Sequence, residues 1–227
     1  MIIGKGQMDL EKVTCKLCQS GSWYIQGVKA DQRSFYQCSN CYLIQVAPEH
    51  LPDLQDEKAL YDTHQNGPGY LGYLDFLNRA VRPMLPYLNK NMKGLDYGCG
   101  PGPAISYLLD RKGIGCEDYD PIYFPIPFKK KYDFLFATEC FEHFHYPFKE
   151  IEKMDRLLKP KGMIGIMTET FGSAERFKNW YYIKDYTHVI FFHQKTFEWI
   201  AREFSWEMIH TDHHRVFIFK KNAIQTI

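Results

Sequence analysis

The sequence predicts an α/β fold in which an open, mostly parallel sheet follows a small module built around cysteines. Three observations carry that expectation. Leu95-Asp96-Tyr97-Gly98-Cys99-Gly100-Pro101-Gly102 gives a short apolar lead, an acid and three glycines at alternate positions. Apolar runs of strand length then alternate with helical stripes to the end of the chain. Ahead of them stand two Cys-x-x-Cys pairs, Cys15 with Cys18 and Cys38 with Cys41. With 227 residues, the chain can bury one core of ordinary size and carry a satellite module.

Residues 11–48 hold the cysteine pairs. The pairs lie about 20 residues apart, the spacing of a ribbon in which four thiolates converge on one zinc ion. All four positions around such an ion are filled by protein, which makes the metal structural. Two disulfides or four free thiols are the alternatives, and the lack of a secretory leader in the sequence weighs against disulfides. Residues 51–92 read as a helical linker that caps the substrate. A short helix is expected over 51–60, and Leu71, Leu74, Leu77 and Val81 mark a longer one before Pro83. Between them Gly67-Pro68-Gly69 enforces a loop, and Tyr61, His64, Asn66 and Tyr70 are either substrate contacts or a surface cap of the helix. Residues 93–227 form the sheet domain.

In that domain the glycines let backbone approach a ligand where a Cβ would collide, and the helix of Ala104, Ile105, Leu108 and Leu109 aims its first N–H groups there. A dinucleotide fingerprint needs its third glycine at position 103, which is Pro103. Asp96 suits a ligand carrying an amino group better than a pyrophosphate. D-x-G-x-G-x-G resembles the signature loop of class I S-adenosylmethionine-dependent methyltransferases. The resemblance implies a Rossmann-like sheet, with Asp96, Gly98, Cys99, Gly100 and Gly102 cradling the cofactor. Asp120, closing the next strand, is the expected ribose acid, and Asp118 is the second candidate.

Further on, Tyr132–Ala137 reads as a buried strand, and Thr138-Glu139-Cys140-Phe141-Glu142-His143-Phe144 looks like the family's fourth strand with its E-x-x-E-H continuation. That places Thr138, Glu139 and Cys140 along the cofactor. Phe148, Ile151, Met154, Leu157 and Leu158 mark a helix, Lys159-Pro160-Lys161-Gly162 a turn and Met163–Met167 a fifth strand. Val189–Phe192 is expected as strand six and Val216–Phe219 as the last strand. The resemblance covers residues 70–227.

One departure from the family stands out. About a dozen residues separate Asp120 from Asp133, too few for a crossover helix and a strand. The third strand is therefore expected to be missing, and with it the acid that meets adenine. Tyr119, Tyr123 and Phe124 are then the rings available to pack on adenine, or they cap the shortened sheet edge.

Methyl transfer asks for alignment, exclusion of water and, for some acceptors, a base. His188 supported by Asp185 is the first base candidate and His143 the second, because loops after strands four and five open onto the acceptor pocket in the resembling family. Phe177, Trp180, Tyr181, Tyr182 and Tyr186 form an aromatic segment that is either a lid with Tyr181 and Tyr182 on the substrate, or packing.

The expected function is S-adenosylmethionine-dependent O-, N- or C-methylation of a small molecule. An RNA methyltransferase gripping RNA through the ribbon is the chief rival, and a non-catalytic cofactor-binding protein is a third class. Against RNA, 28 basic residues balance 27 acidic ones, leaving Lys129–Lys131 as the basic cluster. Apolar runs are too short to span a bilayer. Cys99, Cys116 and Cys140 read as small buried hydrophobes. The reducing cytosol is the expected setting.

Overall fold

The computed structural model describes residues 12–63 and 66–223, so His64 lies outside the described residues. Strands β1 (Lys12–Thr14), β2 (Gly21–Tyr24), β3 (Phe35–Cys38) and β4 (Ile44–Val46) come first, followed by helices α1 (Leu54–Tyr61) and α2 (Leu71–Met84). The larger unit runs β5 (Lys93–Tyr97), α3 (Ile105–Asp110), β6 (Gly115–Tyr119), β7 (Tyr132–Thr138), α4 (Pro147–Leu157) and β8 (Leu158–Met167). It continues with α5 (Ala174–Phe177), β9 (Ile190–Phe191), α6 (Gln194–Glu203), β10 (Trp206–Thr211) and β11 (Val216–Lys221).

The central sheet has the order β10-β11-β8-β7-β5-β6. Its β6, β5, β7 and β8 are parallel, and β11 and β10 add antiparallel. Period-two alternation divides the core. Leu95, Leu135, Ala137, Ile164 and Phe217 pack on Ile151 and Met154 of α4 and Phe197 of α6. Phe134, Phe136, Met163 and Ile218 face the other way, onto Leu77 and Val81 of α2 and Ile105 of α3.

The third strand is absent among the described residues, as the short Asp120–Asp133 interval requires. Backbone bonds in both directions between Asp120 and Phe124 close a tight turn (3.2 and 3.0 Å), and β6 stays an edge strand. Three expectations need correction. Val189–Phe192 does not enter the central sheet: β9 pairs antiparallel with β4 and completes the ribbon sheet β1-β2-β3-β4-β9. The Lys159–Gly162 turn is absorbed into β8 as an irregularity, with Lys161 at φ 64°. Helix α2 runs one residue past Pro83, to Met84, and the proline, lacking an N–H, gives up one bond of the ladder where the helix ends.

The ribbon is cemented to the larger unit. Phe35 is fully buried and meets Phe177 and Phe191 edge-on, with ring centres 5.2 and 5.9 Å apart. Phe177, Trp180 and Tyr182 thus belong to a core shared with Ile44 and Val46, so the packing alternative holds for much of the aromatic segment.

Arg33 supplies the polar half of the junction. Its Nη1 donates to the carbonyls of Tyr186 and His188 (2.8 and 3.0 Å), and its Nη2 to those of Ile183 and Asp185 (2.5 and 3.1 Å). Nε donates to the Asp31 carboxylate (3.1 and 3.2 Å), so all five N–H donors of the guanidinium are used. Replacing Arg33 with Met strands four carbonyls. The expected cost is about 1–3 kcal/mol, seen as a lower urea midpoint, together with faster hydrogen exchange over residues 183–188. Unchanged exchange in that loop would show that the guanidinium does not hold it.

Candidate active site

The β5–α3 loop is pinned to the neighbouring strand by backbone hydrogen bonds. Gly98 and Cys99 donate their N–H groups to the Tyr119 carbonyl (2.8 and 3.1 Å). Gly98 adopts φ 79°, and a Cβ there would lie 2.8 Å from the Cys140 Cβ, so the loop sits flush on the segment leaving β7. A Cβ on Gly102 would come within 2.4 Å of the Asn66 carbonyl, which places residues 66–67 over the loop.

Three carboxylates gather at this edge. Asp96 and Asp118 are register partners on β5 and β6, and Asp96 also sits level with Phe136, which faces α2 and α3. Burial, then the charges of Asp118 and Asp120, push the Asp96 carboxyl well above the usual range. Burial also raises Asp118, against a hydrogen bond from Ser106 Oγ at 3.0 Å. One oxygen each of Asp96 and Asp118 is buried with no hydrogen-bond partner among the described residues. Asp120 is differently placed. It accepts from the Gly100 N–H on one oxygen (3.1 Å) and from those of Ile122 and Tyr123 on the other (2.8 and 3.1 Å). Its carboxylate is already occupied in shaping the turn and fastening the glycine loop.

Of the three rings expected around adenine, Tyr119 departs from expectation. It shares register with Tyr97, so its ring enters the α4 face, 4.6 Å from Phe128 and with Lys153 Nζ donating to its hydroxyl at 2.9 Å. Tyr123 donates to Asp62 at 2.7 Å, while Phe124 remains 36% exposed. Tyr73 of α2, which the sequence analysis did not single out, stands near the same edge. Its hydroxyl is held protonated by burial and then by Asp96, Glu139, Cys99 and Cys140.

A second cluster lies where the chain leaves β7. Thr138 ends the strand buried, and Glu139 turns with φ 49° while its N–H donates to the Met167 carbonyl at 2.7 Å. Arg215 Nη1 donates to both Glu139 oxygens (3.0 and 2.8 Å), and its Nη2 bonds Glu169. Burial and the Glu142 charge push Glu139 up to about 8, against the pull of Arg215. Glu169 also accepts from Trp180 Nε1 (3.1 Å), Arg176 (2.8 Å) and the Tyr181 hydroxyl. Arg215 and Glu169 escaped notice in the sequence because each stands beside a buried apolar run, and they lie far apart along the chain although the strands they flank, β8 and β11, are neighbours.

Glu142, His143 and His188 come together, as do the segments that carry them. Glu142 is 1% exposed and accepts from the Tyr182 hydroxyl. His143 Nδ1 donates to the Thr187 carbonyl (3.0 Å) and His188 Nδ1 to that of Tyr182 (2.8 Å), with ring centres 4.9 Å apart. Burial, then the neighbouring His143, lowers His188 to about 4. The expected support of His188 by Asp185 is weaker than a hydrogen bond. Asp185 Oδ2 lies 3.7 Å from Nε2, while its other oxygen accepts from Thr187 N and Oγ1 (2.9 and 2.6 Å). Tyr61 packs edge-on against His143 at 5.3 Å. Tyr70 precedes α2 at the surface and Tyr181 is 59% exposed, whereas Tyr182 is buried.

In the ribbon, Cys15 and Cys41 bring their sulfurs to 3.6 Å and Cys18 and Cys38 to 3.3 Å, and all four lie within 4.8 Å of one another. The thiols are unbridged. Leu17 N–H points at the Cys15 sulfur (3.4 Å), and those of Asn40 and Cys41 at Cys38 (3.4 and 3.5 Å). Such a cluster can hold a metal ion. No helix among the described residues is long and apolar enough to cross a membrane.

Residues 70–211 match the family described as Methyltransferase domain. No curated protein matches the sequence. Among solved structures, the complex between the Haloferax volcanii Trm112 methyltransferase activator and its methyltransferase aligns with a TM-score of 0.50 at 13% identity, covering 73% of this chain and 97% of that one. The Burkholderia thailandensis 1,6-didemethyltoxoflavin-N1-methyltransferase, bound to its substrate and S-adenosylhomocysteine, aligns at 0.48 and 16% identity over 88% of this chain and 99% of that one. The plantazolicin methyltransferase BpumL, in complex with an analogue and S-adenosylhomocysteine, aligns at 0.48 and 15% identity over 75% and 92%. With the family match running over residues 70–211, more than half of its length, the chain belongs to the methyltransferase-domain family.

Proposed function

We propose that this chain methylates a small-molecule acceptor from S-adenosylmethionine bound across the carboxyl edge of β5, β6 and β7. The observation that carries the reading is the pair of buried, unpartnered carboxylate oxygens on Asp96 and Asp118 beside the glycine loop. Burying such atoms without a partner is costly, so the edge is built for a ligand that brings donors and positive charge. An α-ammonium group suits Asp96, and ribose hydroxyls suit Asp118. Asp120, the first choice on sequence grounds, serves better as the clamp on Gly100. Phe124 and Ile122 offer apolar surface for adenine. Thr138, Glu139, Cys140 and Tyr73 line the approach to the reacting atoms.

Bound S-adenosylmethionine supplies a methyl group made electrophilic by its sulfonium. The chain's part is to align the acceptor, exclude water and handle its proton. Glu142, His143 and His188 form the acceptor side, with Tyr61, Tyr70 and Tyr181 at its rim. His188 is neutral at physiological pH and can accept a proton, although its low pKa makes it a weak base. The near-neutral charge of the chain and a cap formed by residues 54–63 and 66–70 favour a small acceptor over a polynucleotide.

We further propose zinc in the ribbon. Sulfur separations of 3.3 and 3.6 Å approach the edge of a tetrahedron with metal–sulfur bonds of about 2.3 Å. The ion would contribute on the order of 10 kcal/mol to a module too short for its own core.

Calorimetry with S-adenosylhomocysteine tests the cofactor assignment. Asp118→Asn is expected to weaken binding about tenfold through loss of a charged acceptor worth roughly 1.5 kcal/mol, with Asp120→Asn acting instead through a loosened loop and a lower melting temperature. Equal affinity in Asp118→Asn and wild type would remove the ribose role.

The raised pKa of Asp96 gives a pH dependence with a definite sign. Its ionised form attracts the ligand ammonium, so binding expels the proton and affinity for S-adenosylmethionine rises as pH increases until Asp96 is charged. Asp96→Asn should flatten that rise, and an identical pH profile in the variant would contradict it. Stripping the purified chain with a chelator and a thiol reagent should release one zinc per chain and open residues 12–48 to protease. A stripped ribbon that stays resistant would overturn the structural role of the ion.

A further inference from the structure

A second group of ligating side chains lies apart from the cysteines. One ligating atom from each of Glu142, His143 and His188 lies within 4.8 Å of the other two. Glu142 and His143 sit on the single turn Phe141–His143 after β7, and His188 on the loop that Arg33 holds. The two segments are tied by the Val189 N–H donating to the Glu142 carbonyl at 2.9 Å.

The protonation of this group follows from its partners. Each histidine directs Nδ1 at a backbone carbonyl, which can only accept, so Nδ1 carries the hydrogen in both rings. A neutral ring then has its lone pair on Nε2. A carbonyl on Nδ1–H with Nε2 left to ligate is the arrangement that orients metal-binding histidines. Glu142 keeps one oxygen for the Tyr182 hydroxyl, and its other oxygen is buried without a hydrogen-bond partner among the described residues. The group thus offers two imidazole lone pairs and a buried carboxylate oxygen, on three side chains whose ligating atoms lie close together. Asp185 Oδ2 stands 3.7 Å from His188 Nε2 as a fourth oxygen within reach.

We propose that Glu142, His143 and His188 bind a divalent first-row transition ion, separate from the four-thiolate ion, with open positions that take an oxygen atom of the methyl acceptor. Mixed imidazole and carboxylate ligands suit Mn2+, Fe2+, Co2+ or Zn2+ better than Ca2+ or Mg2+, which favour oxygen alone. Three protein ligands leave positions for a substrate, as four do not. The claim of binding stands on the cluster. Only the assignment of an oxygen acceptor rests on the methyltransferase reading proposed above.

The test uses the full chain, dialysed against a mild chelator so that the ribbon metal is retained, then titrated with Mn2+. Free Mn2+ is followed by electron paramagnetic resonance, and zinc by elemental analysis. Wild type is expected to take up one Mn2+ per chain, and Glu142→Gln and His188→Gln to bind it at least about tenfold more weakly with unchanged zinc. Wild type that removes no Mn2+ from solution, or both variants binding as tightly as wild type, would overturn the proposal. Calorimetry with S-adenosylhomocysteine on the same samples separates the two readings. Cofactor binding without Mn2+ uptake sinks the metal site alone, whereas Mn2+ uptake without cofactor binding sinks the methyltransferase reading alone.

Discussion

The guanidinium of Arg33 is the constraint on which the loop carrying Asp185 and His188 rests. Residues 183–188 lack strand pairing, and four of their carbonyls turn inward onto one side chain of the ribbon. Without that cation the carbonyls would have to find water, and the loop carrying Asp185 and His188 would lose its shape. The ribbon thus acts at a distance from its own cysteines. Backbone pairing joins β1 through β4, β4 pairs with β9, and Arg33 holds the loop between the aromatic core and β9. A module that looks like an appendage in the sequence is a buttress of the site.

Electrostatics organise the rest. Asp96, Asp118 and Asp120 crowd one end of the crevice, and Glu139, Glu142 and Glu169 the other, with Arg215 inserted among them. Burial raises the cost of this excess negative charge, and a cationic ligand relieves it. Backbone geometry serves the same end: Gly98 is flush against Cys140, and Glu139 accepts a left-handed conformation to leave β7 sharply. These contacts fix the glycine loop against the segment leaving β7.

Features that depend on neighbours in sequence were legible beforehand. The glycine loop, the cysteine pairs and the E-x-x-E-H string are local, and the missing third strand follows from chain length between Asp120 and Asp133. Features that depend on distant partners were not. Val189–Phe192 is an apolar run whichever sheet receives it, and nothing local says that β4 does. Trp206–Thr211 is mostly half-buried, and its adjacent Met208 and Ile209 and adjacent His210 and Thr211 break the alternation that marks a strand. The backbone N–H groups that occupy the Asp120 carboxylate, and the α4 face that the Tyr119 ring enters in register with Tyr97, are likewise set by segments that the sequence does not place. Arg33, Arg215 and Glu169 became visible only through partners far along the chain.

The most direct test of this account is a crystal structure of the chain grown with S-adenosylhomocysteine. The account predicts ligand density along the carboxyl edge of β5 and β6, its amino group at Asp96, its ribose on Asp118 and its sulfur turned toward Glu142, His143 and His188. Density elsewhere on the chain, or a sulfur directed away from those three side chains, would contradict it.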